Sequence, residues 1–139
     1  MIRLYDYVLS GSCYKIRLLL NILQLEHENV PVDFYPGRAH KEPDFLDLNP
    51  LGQLPVLEDD DVRLRDAQAI LIYLAAKYDG ARAWFPDNAA SQGDIAMWLS
   101  FAGGEIMNSS AARLHDMLGY DLDIAKARAA AHDAFRVLD

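Results

Sequence analysis

Ser10, Ser12 and Cys13 stand in one short stretch, after an apolar segment and at the start of a run with helical spacing. A hydroxyl or thiol at a helix N-terminus meets unpaired backbone N–H groups and the positive end of the helix dipole. Such a place favours an anion and lowers a thiol below its free value of about 8.5. Each unit of lowering is worth about 1.4 kcal/mol of preference for the charged form. Ser10 or Ser12 reads equally well as a plain N-cap. Cys13 reads either as a nucleophile activated by the helix end or as a small buried residue of the helix. No second cysteine stands at CxxC spacing, which excludes a dithiol oxidoreductase and leaves a monothiol one open.

A second stretch is Asn49-Pro50-Leu51-Gly52-Gln53-Leu54-Pro55-Val56-Leu57. It reads as a turn and then a short apolar strand that opens at a proline. Pro55 has no N–H, so it suits a strand start or an edge and not a central ladder position. A proline so close behind a glycine turn is a candidate for a cis bond, the minority form. That bond would turn the backbone of Leu54 outward with its N–H and C=O unpaired. An extended peptide could then pair with it as a strand joins a sheet edge. The plain alternative is an ordinary loop-to-strand turn. His40, Lys41 and Gln53 are polar partners for a carboxylate, or simply surface residues. Tyr5 and Tyr7 could bring a hydroxyl to the same place, or serve as strand packing positions. Trp84, Phe85 and Trp98 read as core or interface anchors.

The elements that must position these residues follow from periodicity. Residues 1–8 predict a buried strand. Cys13 to Leu25 predicts a helix with Ile16, Leu19, Leu20 and Leu23 on one face, capped by Ser10 or Ser12. Val30, Val32 and Phe34 alternate, which predicts a strand over Asn29 to Tyr35. His40 to Leu48 suggests a short irregular helix. Pro55 to Leu57 and Val62 to Leu64 predict two strands, and the acidic run Glu58-Asp59-Asp60-Asp61 between them reads as a solvated hairpin tip. Asp66 is well placed to cap an amphipathic helix with Ala67, Ile70, Leu71, Leu74, Ala75 and Tyr78 on its apolar face. The order is βαβ, a connector, then ββα, with a right-handed crossover between parallel strands.

The α/β layer is complete at residue 78. Residues 79–88 read as a linker. Residues 89–139 carry no strand pattern. They predict one long helix from Ala89 to about Leu118, with Ile95, Trp98, Leu99, Ala102 and Ile106 on a face and Gly103-Gly104 marking a bend or close packing. Gly119-Tyr120-Asp121 breaks it. A helix over Asp123 to Leu138 follows, with Ile124, Ala127, Ala131, Phe135 and Leu138 apolar. Two helices with wide apolar faces need a partner, so they read either as a helical hairpin packed on the α/β layer or, the reading favoured here, as a fragment of a longer helical domain.

Composition narrows the function. The 139 residues carry a net charge of −8, which argues against nucleic acid and anionic membrane surfaces as partners. No apolar run approaches the ~18 residues of a membrane span, and MIRLYDYV lacks the layout of a secretory signal. A single cysteine fits a reducing cytosol. The four histidines are scattered, which argues against a metal site.

Three segments together carry a resemblance: Ser10 to Leu20 (SGSCYKIRLLL), Phe45 to Leu57 (FLDLNPLGQLPVL) and Leu64 to Ala75 (LRDAQAILIYLA), with weaker support from the helix containing Trp98. The chain resembles the cytosolic glutathione transferases, especially bacterial members near the theta, phi and beta classes. The resemblance implies a thioredoxin-like N-terminal domain that binds glutathione, followed by an all-helical domain that forms the pocket for a small hydrophobic electrophile. It implies a cis Pro55, with the Leu54 backbone paired to the cysteinyl part of glutathione. It places Asp66 and Ala67 at the γ-glutamyl group, and His40 and Gln53 at the glycine end. The hydroxyl that stabilises the thiolate falls on Ser10. The family forms homodimers, to which Trp84 or Phe85 could contribute.

Two departures stand out. The position of Ala67 is usually serine, and losing one hydrogen bond to a charged group costs about 1.5–3 kcal/mol. The chain also ends where the helical domain of the family is half built, which implies lower stability, an incomplete electrophile site and exposed apolar surface. The expected activity is conjugation of the glutathione thiolate to an electrophile. The rivals are a mixed disulfide with glutathione on Cys13, and a binding module on the same fold.

Overall fold

Strand alternation sorts the first half of the chain into two faces of one sheet. Ile2 and Leu4 of strand β1 (Ile2–Asp6) point to one side and join Ile16, Leu19, Leu20, Leu57, Ala67, Ile70 and Leu74 in the main core. Tyr5 points to the other and meets Phe45 and Val56. Helices α1 (Gly11–Ile22) and α3 (Ala67–Tyr78) cover the first face and pack on each other. The shorter α2 (Pro43–Leu48) supplies Phe45 to the second. The computed structural model describes residues 1–119 and 121–139.

The sheet runs β2-β1-β3-β4. Strand β2 (His27–Pro31) is parallel to β1, as the helical crossover requires. Strands β3 (Val56–Asp59) and β4 (Val62–Leu64) are antiparallel additions. This is the expected thioredoxin-like order, βαβ then ββα. A 3₁₀ turn at Ala39–Lys41 precedes α2.

Several boundaries move from the sequence expectation. Helix α1 starts at Gly11 because Ser10, not Ser12, is its N-cap. It ends before Leu25 because Gln24 adopts a left-handed φ of 55°. The N–H groups of Gln24 and Leu25 then close back on the carbonyls of Asn21 and Leu20, a Schellman-type end. Strand β2 begins at His27 and stops at Pro31, not Tyr35, since Asp6, the last β1 residue, pairs with Pro31. Val32 and Phe34 lie beyond it. The acidic run is not one solvated tip: Glu58 and Asp59 belong to β3, and only Asp60-Asp61 forms the turn. Asp59 is 2% exposed.

The chain divides into two compact units, Met1–Pro86 and Asp87–Asp139. The end of the first is a bonded loop. Buried Asp79 accepts the N–H groups of Ala81 at 3.1 Å and Trp84 at 2.8 Å. In the second, the long helix expected over Ala89 to Leu118 is two helices, α4 (Ala89–Gly103) and α5 (Met107–Leu118), parted at Gly104. Consecutive glycines contribute no side chain and least favour helix at that point. Gly119 ends α5 with a φ of 67°; Tyr120 of the expected break lies outside the described residues. Helix α6 (Ile124–Leu138) packs on α5 through small residues, with Ala112, Ala127, Ala131 and Ala134 buried. Phe135 and Leu138, expected on the buried face, are exposed, as are Met97 and Trp98 on α4. Among the described residues no helix is long and apolar enough to cross a membrane.

Candidate functional site

The sheet register gathers three distant segments at one end. Tyr5 pairs with Val56 in the β1–β3 ladder, and continuing that register sets Tyr7 opposite Leu54. Leu57 pairs with Leu64 in the β3–β4 ladder, and the same continuation sets Pro55 opposite Asp66. The β1–α1 loop, the turn before β3 and the start of α3 thus share one edge of the α/β layer.

Ser10 caps α1 with extended backbone, and its Oγ accepts the Cys13 N–H at 3.2 Å. Its own N–H donates to the Tyr7 carbonyl at 2.9 Å. A serine hydroxyl keeps one proton to donate beside its acceptor lone pairs, so capping leaves the O–H able to serve a further acceptor. Asp66 caps α3 in the same way, accepting the Ala69 N–H at 2.9 Å. Ala67 is buried in the main core. Its methyl therefore packs into the core, while its N–H, at the first helical position, is one the helix itself cannot satisfy. Lys15 of α1 is half-buried; burial lowers its pKa, and the nearby Asp66 carboxylate partly offsets this.

The Leu54–Pro55 bond is cis, as the resemblance implies and as the residues alone left open. The ladder begins at Val56, and among the described residues the Leu54 backbone takes no part in a turn, loop or cap hydrogen bond. Its side chain packs against the Tyr5–Phe45–Val56 cluster. The turn ahead of it is organised by Asn49, which is fully buried. Asn49 donates to the Gln53 carbonyl at 2.8 Å and accepts the Leu51 N–H at 3.1 Å. The sequence marked this turn but assigned Asn49 no role; the signal was the known habit of Asn side chains of folding onto backbone two residues on. Gly52 has a φ of 56°, and a Cβ there would come within 2.6 Å of the His40 carbonyl oxygen. Gly52 is thus required twice, for its backbone and for the close approach. Gln53 is exposed beside it.

His40 reaches the same end of the sheet by stacking. Its ring lies on Phe34 with centroids 4.0 Å apart, and Phe34 meets Tyr7 at 5.2 Å. Phe34 is the residue the sequence reading missed here, because strand alternation alone explained it. His40 is 5% exposed, and its Nδ1 has no hydrogen-bond partner. Burial, then Lys41 and Arg38, lower its pKa, so the ring is neutral at pH 7. Lys41 instead ties the turn down, donating to the Leu51 and Gly52 carbonyls at 3.2 and 3.1 Å. Tyr5 is not part of the site: its hydroxyl donates to Glu58 at 3.0 Å.

Cys13 has no exposed surface. Burial is the strongest influence and pushes its thiol up to about 11, while hydrogen bonding with Ser10 and the Tyr7 backbone pulls partly the other way. A mixed disulfide needs a thiolate at neutral pH and room for a second sulfur. The structure offers neither, and Cys13 is a core residue of α1. In the folded chain at pH 7 we expect Cys13 to react with an aromatic disulfide reagent about a hundredfold or more slower than a free cysteine. Denaturation should restore full reactivity; rapid labelling of the folded chain would contradict this. Among the described residues no group of three or more His, Cys, Asp or Glu side chains could hold a metal ion.

Comparison with known proteins agrees with this geometry. Residues 1–76 match the model for the glutathione S-transferase N-terminal domain. Glutathione S-transferase 3 of Zea mays is 41% identical over 98 residues, covering 70% of this chain and 44% of that protein. A maleylacetoacetate isomerase of Rhizobium meliloti is 43% identical over 77 residues, covering 55% of this chain and 36% of its own. The crystal structure of a glutathione transferase homolog from Lodderomyces elongisporus, with two GSH per subunit, superposes with a TM-score of 0.87 at 26% identity, over 98% of this chain and 67% of that one. The chain thus spans less than half the length of these two curated relatives. A family model that matches more than half of the chain makes this protein a member of the glutathione S-transferase family.

Proposed function

We propose that the chain binds glutathione at the β1–α1, Leu54–Pro55 and Asp66–Ala67 end of its sheet and serves its conjugation to a small hydrophobic electrophile. The observation that carries this reading is the Leu54 backbone, unpaired by the ladder, at the sheet end that the register shares with the loop before α1 and the capped start of α3. An extended tripeptide would join Leu54 as an added strand. Its anionic γ-glutamyl end would face the start of α3, with its glycyl end toward His40 and Gln53. The Ser10 O–H would donate to the sulfur once the thiol proton has passed to solvent. The sulfur lone pair then forms a C–S bond, and the leaving group departs with its bonding pair.

The serine at the α1 cap supports a serine-type member near the theta, phi and beta classes. We take residues 1–78 as the glutathione-binding domain, 79–88 as linker and 89–139 as part of the helical domain. The assembly we propose is a cytoplasmic homodimer, with no nucleic acid, membrane or metal required.

Calorimetric titration with glutathione tests this reading. We expect saturable one-site binding that weakens when Asp66 is replaced by alanine, since this removes a charge and a cap from the α3 start. Absence of binding by the unaltered chain would overturn it. Binding with no turnover on any electrophile would favour the binding module.

A further inference from the structure

The loop that carries Ser10 has little apolar anchorage at its crest, because Val8 is 73% exposed. What holds it is polar. Arg17, one helical turn beyond Cys13, forms an ion pair with Asp6 at the end of β1. Both side chains are largely shielded, at 20% and 13% exposed. The other arm of the guanidinium donates to the Val8 carbonyl at 3.3 Å, and the group lies 5.9 Å from the centroid of the Tyr14 ring. One side chain therefore ties the strand end, the loop crest and the helix together. The Ser10 hydroxyl depends on all three, through its N–H on Tyr7 and its Oγ on Cys13.

We propose that Asp6 and Arg17 are positioning residues for the Ser10 hydroxyl, clamping the Tyr7–Ser10 loop so that the O–H is aimed at the substrate sulfur. The proposal rests on the reading of Ser10 above. Only a planar fork holds a carboxylate and a carbonyl at once in fixed geometry; a lysine ammonium is a point charge on a flexible stem. The pair is also charge-balanced. The charged and titratable groups around the loop include Asp6 on β1 and Cys13, Tyr14 and Arg17 on α1. Removing either partner of the pair leaves the other charge uncompensated and frees the loop crest at the Val8 carbonyl.

The test is ultraviolet titration of the glutathione thiolate bound to the full chain, with glutathione affinity by calorimetry and kcat on an aryl chloride. Arg17→Lys keeps the charge and should keep the fold. It should lower kcat roughly ten- to a hundredfold, the scale of a displaced reacting group, with affinity near that of the unaltered chain. Arg17→Gln should raise the thiolate pKa, because the aimed hydroxyl and a positive charge are lost together, and both Arg17→Gln and Asp6→Asn should lose kcat. Variants that lose only thermal stability, with thiolate titration and kcat unchanged, would overturn the positioning role alone. An unaltered chain that fails to bind glutathione would overturn the site reading as well.

Discussion

Replacing Ser10 with alanine is expected to lower conjugation turnover about a hundredfold, the usual loss when one preorganised donor to a developing or resting anion is removed. Glutathione affinity should change far less, because Leu54, Asp66, the Ala67 N–H, His40 and Gln53 hold the rest of the tripeptide in this reading. A hydrogen bond to a charged acceptor is worth about 1.5–3 kcal/mol, so the bound thiolate pKa should rise by about one to two units. The sign follows from which form is stabilised. The O–H favours the thiolate, and its loss moves the acid limb of the pH–rate profile upward.

Alanine also removes the α1 cap, which costs about 0.5–2 kcal/mol of stability. Ser10→Asp separates the two roles. Its carboxylate can still accept the Cys13 N–H and suits the helix N-terminus, but it has no proton to give at neutral pH. Ser10→Asp should therefore keep Tm and lose turnover. A variant that keeps both, or Ser10→Ala with an unmoved pH profile, removes Ser10 from the chemistry.

The largest effect on stability is expected at Asp59, far from that site at the other end of β3. Its Oδ2 accepts Tyr78 Oη at 2.6 Å, Lys77 Nζ at 2.7 Å and Tyr73 Oη at 2.8 Å, which pins the last two turns of α3 to the sheet. Burial works most strongly against ionisation, yet the bonds from Lys77, Tyr78 and Tyr73 together outweigh it and hold the carboxyl below its usual value. Asp59→Ala leaves two tyrosine hydroxyls and an ammonium without their acceptor. We expect a loss of about 3 kcal/mol, at the low end for breaking a buried pair, because Lys77 is 40% exposed and can turn to water.

In a domain of this size that is a fall of about 12–24 °C in Tm. Because the folded value is depressed, the contribution is complete above the ordinary carboxylate range and is lost as pH falls below it. The unaltered chain and Asp59→Ala should therefore converge in stability on acidification. Equal Tm values for the two at neutral pH, by calorimetry or circular dichroism, would show the cluster to be idle.

Asp59 also marks where reading from sequence stopped. Within an acidic run it looked like every other solvated carboxylate, since the donors that satisfy it lie a whole helix away. The same holds for Arg17, whose role depends on Asp6 and the Val8 carbonyl. It holds too for Phe34, which explained itself as a strand residue until His40 was found stacked on it. Cys13 was undecided for a different reason. A thiol at a helix start is activated or inert according to which way the helix is rolled, and only contact with the sheet sets the roll.

What the sequence determined by itself was local. Ser10 and Asp66 announced two helix starts because a short polar side chain followed by helical spacing closes on the next turn. Gly52 and Pro55 announced a constrained turn because each restricts its own backbone. The βαβ-ββα order followed from strand and helix periods. The tertiary structure decided which of these met. Antiparallel register brought Tyr7, Leu54 and Asp66 to one edge, and burial turned Cys13 inward and Asp59 into an anchor. Contacts between residues distant along the chain depend on register and on side-chain direction, and neither is encoded in any short window of residues.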